Sequence, residues 1–470
     1  MTKEQSTKKV NRMGIIAVLM FGTFIAILNQ TLMTTALPHL MKDFNITSNT
    51  AQWLTTAFML VNGIMIPVTA FLIRKFTTRT LFFLAMGLFA LGTLFCAIAP
   101  SFSFLLIGRM IQASGAGILM PLMQTVLFVI FPKEKRGTAM GIFGLVVAFA
   151  PAIGPTLSGW VIDEYTWRIM FEILFPLAVI VLIVSYFLVQ NVTELTSPKV
   201  ELFSIILSSF GFGGLLYGFS IAGNEGWGSN QTIFILIGAV IVLTWFIIRQ
   251  LKLEQPMLEF RVFKYPMFTL PMVLVIIVFV TFIGGMTILP IFMQNMLGYT
   301  ALKSGLIIMP GGIIMGILSP ITGRIFDKVG AKWLAVVGLA IVSVSVFMFT
   351  NLSAETSFAY LTLIFTLMMV GQSAVMMPLT TAALNQLPGK YIPHGTAMNN
   401  TLRQVAGAIG TAVLVTIMTD TALNSQVRGI EGAIYGVNMT FTVLVFVSFI
   451  GVILAFFIKG SRSEETNLQK

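Results

Sequence analysis

The chain has 470 residues, of which 57% are hydrophobic and only 10% are charged, with a net charge of +11 and a single cysteine. A soluble domain cannot bury so large an apolar fraction, and one thiol cannot form an intrachain disulfide or a thiol-based metal cluster. The composition therefore indicates an integral membrane protein.

Fourteen apolar runs follow one another along the chain, and each is long enough to cross a bilayer as a helix. The first run follows a basic N-terminus but is too long for a signal peptide, so we interpret it as a retained first helix. The predicted spans are 13–36, 50–73, 79–99, 103–129, 137–162, 168–189, 202–223, 231–250, 267–293, 303–325, 332–351, 358–382, 396–419 and 437–459. The predicted fold is all-α, with a short interfacial segment in the longest loop, 249–266.

Basic residues are distributed unequally between the two sides of this layer of helices. Lys42, Arg168, Lys303 and Arg428 fall on the side opposite the N-terminus, and Arg109 and Arg403 fall within spans. The other 22 of the 28 lysines and arginines fall on the side of the termini. Such an excess marks the cytoplasmic side of a membrane protein. We therefore expect both termini in the cytoplasm, and we do not interpret the net charge as a sign of nucleic-acid binding.

The sequence repeats itself. The tetrapeptide GTAM occurs at 137–140 and 395–398, within longer similar stretches at 120–140 and 377–398. A second pair, AFLIRKFTTR from Ala70 and GRIFDKVGAK from Gly323, has a similar offset. The two GTAM copies are 258 residues apart, which is longer than a stretch of six helices with their loops. The excess is roughly the length of spans seven and eight. A parallel repeat of six helices interrupted by an extra pair is predicted: residues 1–195, the pair with its linker at 196–266, and residues 267–470.

Two arginines lie inside predicted spans. A charged residue at the centre of a membrane helix costs at least about 2.5 to 3.5 kcal/mol, so Arg109 and Arg403 should face the protein interior and have partners. Neither is mirrored in the other half, because Arg109 aligns with Thr366 and Arg403 with Leu145. This asymmetry favours a specific role for each arginine over a purely architectural one.

Few acids lie near or within the predicted spans, and desolvation there raises the pKa of a carboxylate, so that it can gain and lose a proton. Glu172 is the preferred titrating acid because apolar helix flanks it on both sides, and Asp163 is a second possibility. The alternative for Glu172 is an interfacial pair with Arg168 four residues earlier. Asp327 should pair with the cations around it, Arg324, Lys328 and Lys332.

Several stretches carry a family resemblance: LNQTLMTTALP (28–38), GRMIQASGAGILMP (108–121), PAIGPTLSGW (151–160), EGWGS (225–229), QPMLEFRVF (255–263) and FMQNMLGYTALKSGLIIMPGG (292–312). Together they resemble the fourteen-helix drug:proton antiporters of the major facilitator superfamily, which include bacterial multidrug and lincomycin-resistance exporters. The resemblance implies two pseudo-twofold bundles, multidrug efflux by alternating access, and a monomer in a bacterial cell membrane. Where family members often carry an aspartate in the first helix, this chain has Asn29, which cannot titrate.

The resemblance also implies residue roles. Arg109 is expected to act in proton coupling, with Glu172 and Asp163. Methionine suits adaptable apolar binding sites, and the expected substrate-binding residues are Asn29, Met33, Gln112, Met120, Met123, Phe149, Met286, Met293, Gln294, Met377, Asn399 and Arg403. The expected conformational motifs contain Arg74, Arg79, Gly154, Pro155, Gly323, Asp327, Lys328 and Gly330. In the first half, Arg74 and Thr77 stand where the family has aspartate and glycine.

No nucleotide-binding loop, catalytic motif or metal-spaced Cys/His cluster occurs, and His39 and His394 are assigned to loops. We expect no enzyme activity, no metal and no cofactor beyond the proton gradient, with drugs, protons and the lipid bilayer as partners. The alternatives left open are a dedicated exporter of one lipid, glycolipid or metabolite, and a membrane sensor or assembly subunit that does not transport.

Overall fold

A computed structural model describes residues 12–193, 195–196, 201–425 and 428–458. Within those ranges the chain forms fourteen helices that are long and apolar enough to cross a membrane, and no strand. They are α1 (Arg12–Asp43), α2 (Ser48–Lys75), α3 (Thr78–Ala97), α4 (Phe102–Ile130), α5 (Arg136–Glu164), α6 (Arg168–Leu188), α7 (Leu202–Glu225), α8 (Asn230–Lys252), α9 (Pro266–Ile291), α10 (Ala301–Val329), α11 (Ala331–Met348), α12 (Phe358–Asn385), α13 (Ile392–Asn424) and α14 (Ile430–Ala455). The predicted number of spans is confirmed.

Hydroxyl side chains begin several of the helices. The side chains of Thr47, Thr77, Ser101, Thr300 and Ser357 each accept a hydrogen bond from the backbone N–H three residues later. Each cap satisfies one of the N–H groups that have no partner inside the helix. Hydroxyl caps thus begin α2, α3, α4, α10 and α12.

The helix ends differ from the predicted spans where polar residues continue the helical backbone. The first helix extends to Asp43, seven residues beyond its span, and the last helix begins at Ile430 rather than at 437. Glu431 lies in the first turn of α14, where a carboxylate is favourable near the helix N-terminus. Hydropathy marks only the apolar part of such a helix, so it places the ends too far inward.

We call the side where α1 begins and α14 ends the terminal side, and the opposite side the distal side. The two sets of six helices pack in matching pairs. Helix α1 contacts α4, α5 and α6, as α9 contacts α12, α13 and α14; α3 contacts α4 and α6, as α11 contacts α12 and α14. The repeat read from the sequence is thus visible in the packing, and the limits of the three segments stay predictions.

The extra helices α7 and α8 pack on each other, and α7 also packs on α2 and α13, one helix from each set of six. The linker after α8 folds back beneath them: Gln250 Oε1 accepts hydrogen bonds from the backbone N–H groups of Met257 (2.7 Å) and Leu258 (3.3 Å). Both residues are buried in an apolar cluster with Phe71 of α2 and Met398 of α13. The linker joins the terminal ends of the two halves.

Helices α5 and α10 form the most extensive contact between the halves. Gly323 of α10 faces the backbone of α5, where a Cβ atom on Gly323 would lie 2.9 Å from the carbonyl carbon of Gly137 and 3.1 Å from the Cα of Gly141. Only a residue without a side chain allows this approach. The glycines of both helices therefore set how closely the halves meet.

This contact predicts the effect of adding one methyl group. The Gly323→Ala variant should lose about 1 to 3 kcal/mol of stability in the closed arrangement, the range typical of overpacking, because backbone atoms cannot move aside as a flexible side chain can. The thermal unfolding temperature of the purified protein measures this loss. The matched control is Gly159→Ala on α5, where an added Cβ meets nothing within 4 Å. An equal unfolding temperature for both variants would contradict the close approach.

Candidate functional site

A cavity of about 430 Å³ lies between the two sets of six helices. Its walls come from α1, α2, α7, α9 and α13, and most of the lining residues lie in the distal halves of these helices. They are Gln30, Thr56, Met59, Leu60, Leu216, Phe219, Ser220, Gly223, Phe279, Ile283, Thr287, Gln404, Gly407, Ala408, Thr411, Ala412 and Val415. The lining is largely apolar with a few amides and hydroxyls, as in sites that bind small amphipathic molecules.

Direct hydrogen bonds between the halves close the terminal side beneath this cavity. Asn400 of α13 donates to Gln124 Oε1 of α4 at 2.8 Å, and the hydroxyls of Thr125 and Thr396 lie 2.9 Å apart. All four side chains are buried. Because these bonds join α4 to α13, the cavity has no passage to the terminal side along this contact.

The carboxylate of Asp327, at the end of α10, binds the beginning of α5. Its Oδ1 accepts from the Gly137 N–H (2.7 Å), and its Oδ2 accepts from the Thr138 N–H (2.8 Å) and the Thr138 hydroxyl (2.6 Å). Hydrogen bonds to a charged group contribute about 1.5 to 3 kcal/mol, and the helix N-terminus adds a favourable dipole. The expected pairing of Asp327 with Arg324, Lys328 and Lys332 is wrong, since all three carboxylate contacts cross to the other half.

The second GTAM lies at the equivalent place, the beginning of α13, but its contact is different. Thr396 bonds Thr125 across the halves, and the guanidinium of Arg74, where the family has aspartate, lies 3.1 Å from Nε2 of His394. A guanidinium only donates, so Nε2 is the acceptor. His394 is buried within α13 and His39 lies within α1, so the assignment of both histidines to loops is wrong.

Arg109 is completely buried and has a partner on its own helix. Its Nη1 donates to Gln112 Oε1 at 2.7 Å, and Gln112 in turn donates to Thr93 of α3 at 2.8 Å. The guanidinium also lies over the ring of Phe58, 4.2 Å from its centroid. The expectation that Arg109 faces the interior with partners is confirmed, whereas its role in coupling stays a prediction.

Arg403 is also buried, but its contacts are weaker. Its Nη2 lies 3.8 Å from the sulfur of Met376, its guanidinium carbon lies 4.7 Å from the ring centroid of Phe279, and its Nη1 has no hydrogen-bond partner in the described part of the chain. Arg109, Arg403 and Glu259 are the buried charged side chains of the described residues, and Glu259 is paired with Arg261 in the linker. The helical core that the structure describes therefore holds two cations without a carboxylate.

Glu172 does not line the cavity. It is exposed on α6, which packs on α1, α3 and the end of α5, and of these helices only α1 contributes to the cavity wall, through Gln30. Apolar residues flank Glu172 along the chain, but its turn of α6 directs the side chain outward, and its role as the coupling acid stays a prediction. Its alternative pairing is also wrong, since Arg168 pairs with Asp43 at 3.3 Å. Asp163 lies at the distal end of α5, and its side chain is outside the described part of the structure.

None of the predicted substrate-binding residues lines the cavity. Asn29, Met33, Gln112, Met123, Met293, Met377, Asn399 and Arg403 are buried in helix contacts, Met120, Met286 and Phe149 are half-buried, and Gln294 is exposed. On three helices the lining residue is the next one along: Gln30, Thr287 and Gln404. The roles of the predicted residues stay predictions. Of the helices that carry them, α1, α9 and α13 contribute to the cavity wall through other residues, whereas α4, α5 and α12 contribute none.

Helix α7 was missed as a cavity wall. Leu216, Phe219, Ser220 and Gly223 of α7 line the cavity, and the loop after α7 is tied to α13 by a 2.7 Å hydrogen bond from the Trp227 indole to Thr416. The only sequence signal was the run of small residues in α7, which allows close packing but occurs in many membrane helices.

The remaining predicted motif residues lie at helix ends or in contacts between helices. Arg79 donates to the carbonyl of Tyr186 at 2.9 Å, Gly154 packs against Thr31 of α1, and Gly330 ends α10 with a φ of +80°. Lys328 is exposed. Helix α5 continues through Pro155, whose ring is outside the described part of the structure.

Comparison with known proteins gives a consistent result. The model of the Major Facilitator Superfamily matches residues 19–411. The chain is 51% identical to the uncharacterized MFS-type transporter YcnB of Bacillus subtilis over 96% of each chain, and 45% identical to the lincomycin resistance protein LmrB of the same organism over 97% of this chain and 98% of the relative. The multidrug export protein EmrB of Haemophilus influenzae is 29% identical over 84% of this chain and 78% of its own length. A crystal structure of the human organic anion transporter MFSD10 has the same fold, with a TM-score of 0.70 at 13% identity over 95% of this chain and 99% of that one.

The Asp327 contact predicts a change in exposure between α5 and α10. Asp327→Asn removes the charge and one acceptor, so the terminal contact should open more often. Ser319, buried on α10 against Gly141 and Gly144 of α5, serves as the reporter when replaced by Cys in a Cys96→Ala background. Losing one hydrogen bond to a charged group should raise the rate of thiol labelling by about tenfold.

The control for this experiment is Lys328→Gln, which changes a neighbouring charge without touching the contact to α5. Its labelling rate should match that of the parent. A labelling rate that Asp327→Asn leaves unchanged would show that other contacts hold the terminal side closed.

Proposed function

We propose that this chain, which belongs to the major facilitator superfamily and is similar to lincomycin-resistance and multidrug export proteins, is a multidrug efflux transporter that exports hydrophobic and amphipathic compounds from the cytoplasm in exchange for protons. Export proceeds by alternating access: the two sets of six helices rock about the cavity, which opens first to one side and then to the other. The cavity and both closing contacts belong to one chain, so a monomer suffices.

The observation that carries this proposal is the position of the cavity between the two halves, with the terminal side closed by α4–α13 and α5–α10 contacts. These contacts include hydrogen bonds and close approaches between helices at glycines. In the proposed cycle they break together when the halves rock. The largely apolar lining supports a broad substrate range over a dedicated exporter, which needs a dense set of fixed polar groups.

The direction of export rests on the charge asymmetry. The terminal side carries 22 of the 28 lysines and arginines, as expected for the cytoplasmic side. With that orientation the distal cavity faces outward, and the closed contacts are the inner gate. Binding from the cytoplasm then requires the Asp327 contact to open.

Proton entry can supply about 2.3 kcal/mol per 100 mV of membrane potential for each charge moved. Asp163 and Glu172 stand near the distal ends of α5 and α6, where protons would enter. We retain Asp163 in the proposed coupling path together with Arg109, whose fixed charge lies in the same half. The exposed position of Glu172 makes it the weaker choice.

Reconstituted protein tests this function. In liposomes with an imposed pH gradient, adding a lincosamide, a phenicol or a lipophilic dye should accelerate the change of internal pH, because substrate exit and proton entry are linked. Glu172→Gln should keep this substrate-dependent flux, since the side chain is exposed on α6 and does not line the cavity. Arg109→Gln should abolish it, because it removes a buried charge from the core.

Liposomes without protein, and protein without an added compound, give the background flux. A flux that no compound stimulates in folded parent protein would contradict transport and would favour the sensor alternative. Loss of the flux in Glu172→Gln would return Glu172 to the coupling path.

A further inference from the structure

Arg403 is a buried cation beside the cavity without a strong hydrogen-bond acceptor in the described part of the chain. A guanidinium has five N–H donors, and the polar contact of Arg403 in the described residues is a thioether sulfur at 3.8 Å, a weak acceptor. Arg109, by contrast, donates to an amide oxygen at 2.7 Å. A buried cation without an acceptor is costly, and the usual partner of such a group is an anion.

The position of Arg403 connects it to the cavity. The guanidinium stacks on Phe279, and the ring of Phe279 forms part of the cavity wall. The next residue, Gln404, and the residue one turn later, Gly407, also line the cavity. The ring of Phe279 therefore lies between Arg403 and the cavity, and rotation of this one side chain would bring the guanidinium into contact with a bound molecule.

A second buried group without partners lies on the same face of α13. Asn399 precedes Arg403 by one helical turn, is fully buried, and neither its amide nitrogen nor its amide oxygen has a hydrogen-bond partner in the described chain. The amide nitrogen is a further donor for an oxygen anion held by Arg403. The pairing of a planar guanidinium with a second donor matches the two oxygens of a carboxylate.

The charges around the site point the same way. Within the helical core that the structure describes, Arg109 and Arg403 are the buried charged side chains, and no carboxylate offers a partner for a cationic substrate. The cavity itself is lined by apolar side chains with a few neutral polar groups. The whole arrangement is electropositive beside an apolar pocket, which suits an apolar body that carries one negative charge.

We propose that Arg403, with Asn399, forms a recognition site for the carboxylate of amphipathic acids, whose apolar part occupies the cavity beside Phe279. This inference rests on the proposed function for the use of the cavity, and it adds a substrate class: weak organic acids in their ionised form. Neutral compounds bind the cavity alone, without the arginine. Lipophilic cations are disfavoured by the two buried positive charges.

Equilibrium binding with a matched set of probes tests the proposal. The probes are pyrenebutyrate, its uncharged amide and a pyrenebutyl trimethylammonium cation, which share one apolar body and differ in charge. The protein is in lipid nanodiscs at pH 8, and binding to empty nanodiscs is subtracted. The parent should bind the carboxylate at least about tenfold more tightly than the amide, and the cation most weakly.

The variants locate the preference. Arg403→Met keeps an unbranched apolar stem without the guanidinium, and it should remove the preference for the carboxylate while binding of the amide stays unchanged, which also shows that the variant is folded. Arg403→Lys keeps the charge without the planar fork and should retain part of the preference. Lys303→Met, which removes an exposed cation on the distal side, should bind all three probes like the parent.

Equal affinity of the parent for carboxylate and amide would overturn the proposal, as would a preference that persists in Arg403→Met. The liposome experiment separates this failure from that of the proposed function. If neutral compounds drive proton flux but the acid has no advantage in binding, efflux stands and the acid site falls. If the acid binds selectively but no compound drives flux, the acid site stands and proton-coupled efflux falls.

Discussion

The carboxylate of Asp327 joins the two halves of the molecule at the point where the structure is closed. It lies at the end of α10 and accepts three hydrogen bonds from the beginning of α5, at a helix N-terminus where a negative charge is favourable. Gly323 and Gly137 let the two backbones meet directly above it. The cavity between the halves lies on the distal side of this contact.

The repeated GTAM marks the two equivalent closing points. In both copies the threonine makes a hydrogen bond to the opposite half, Thr138 to Asp327 and Thr396 to Thr125. The duplication preserved the threonines but not their partners. The first closing point, at α5, contains the Asp327 carboxylate, whereas the second, at α13, has Arg74 beside His394. Closure at α13 therefore depends on neutral hydrogen bonds and on the linker beneath it. The two closing points therefore differ in strength, although they are related by the repeat.

The sequence was sufficient for the number of helices, the repeat and the extra pair, because bilayer thickness and short loops leave few alternatives. The sequence was not sufficient to predict which face of each helix is turned toward the cavity. Lipid tails are as apolar as the protein core, so hydropathy does not tell which side of a membrane helix faces inward. Asn29 and Arg403 were therefore predicted to bind substrate, whereas the residues that line the cavity are their neighbours Gln30 and Gln404.

The partner of Asp327 could not be predicted from the sequence either. It lies 190 residues away along the chain, and the sequence alone suggested only the neighbouring cations as partners.

The central claim is that the terminal contact and the distal cavity open alternately. Spin labels at the exposed positions 134 and 390 report the distance across the terminal side, and labels at 45 and 355 report the distance across the distal side. Pulsed distance measurements in nanodiscs, with and without a transported compound, should show two populations whose balance shifts in opposite directions for the two pairs. Distances that stay fixed in both pairs, or that lengthen together, would contradict the account.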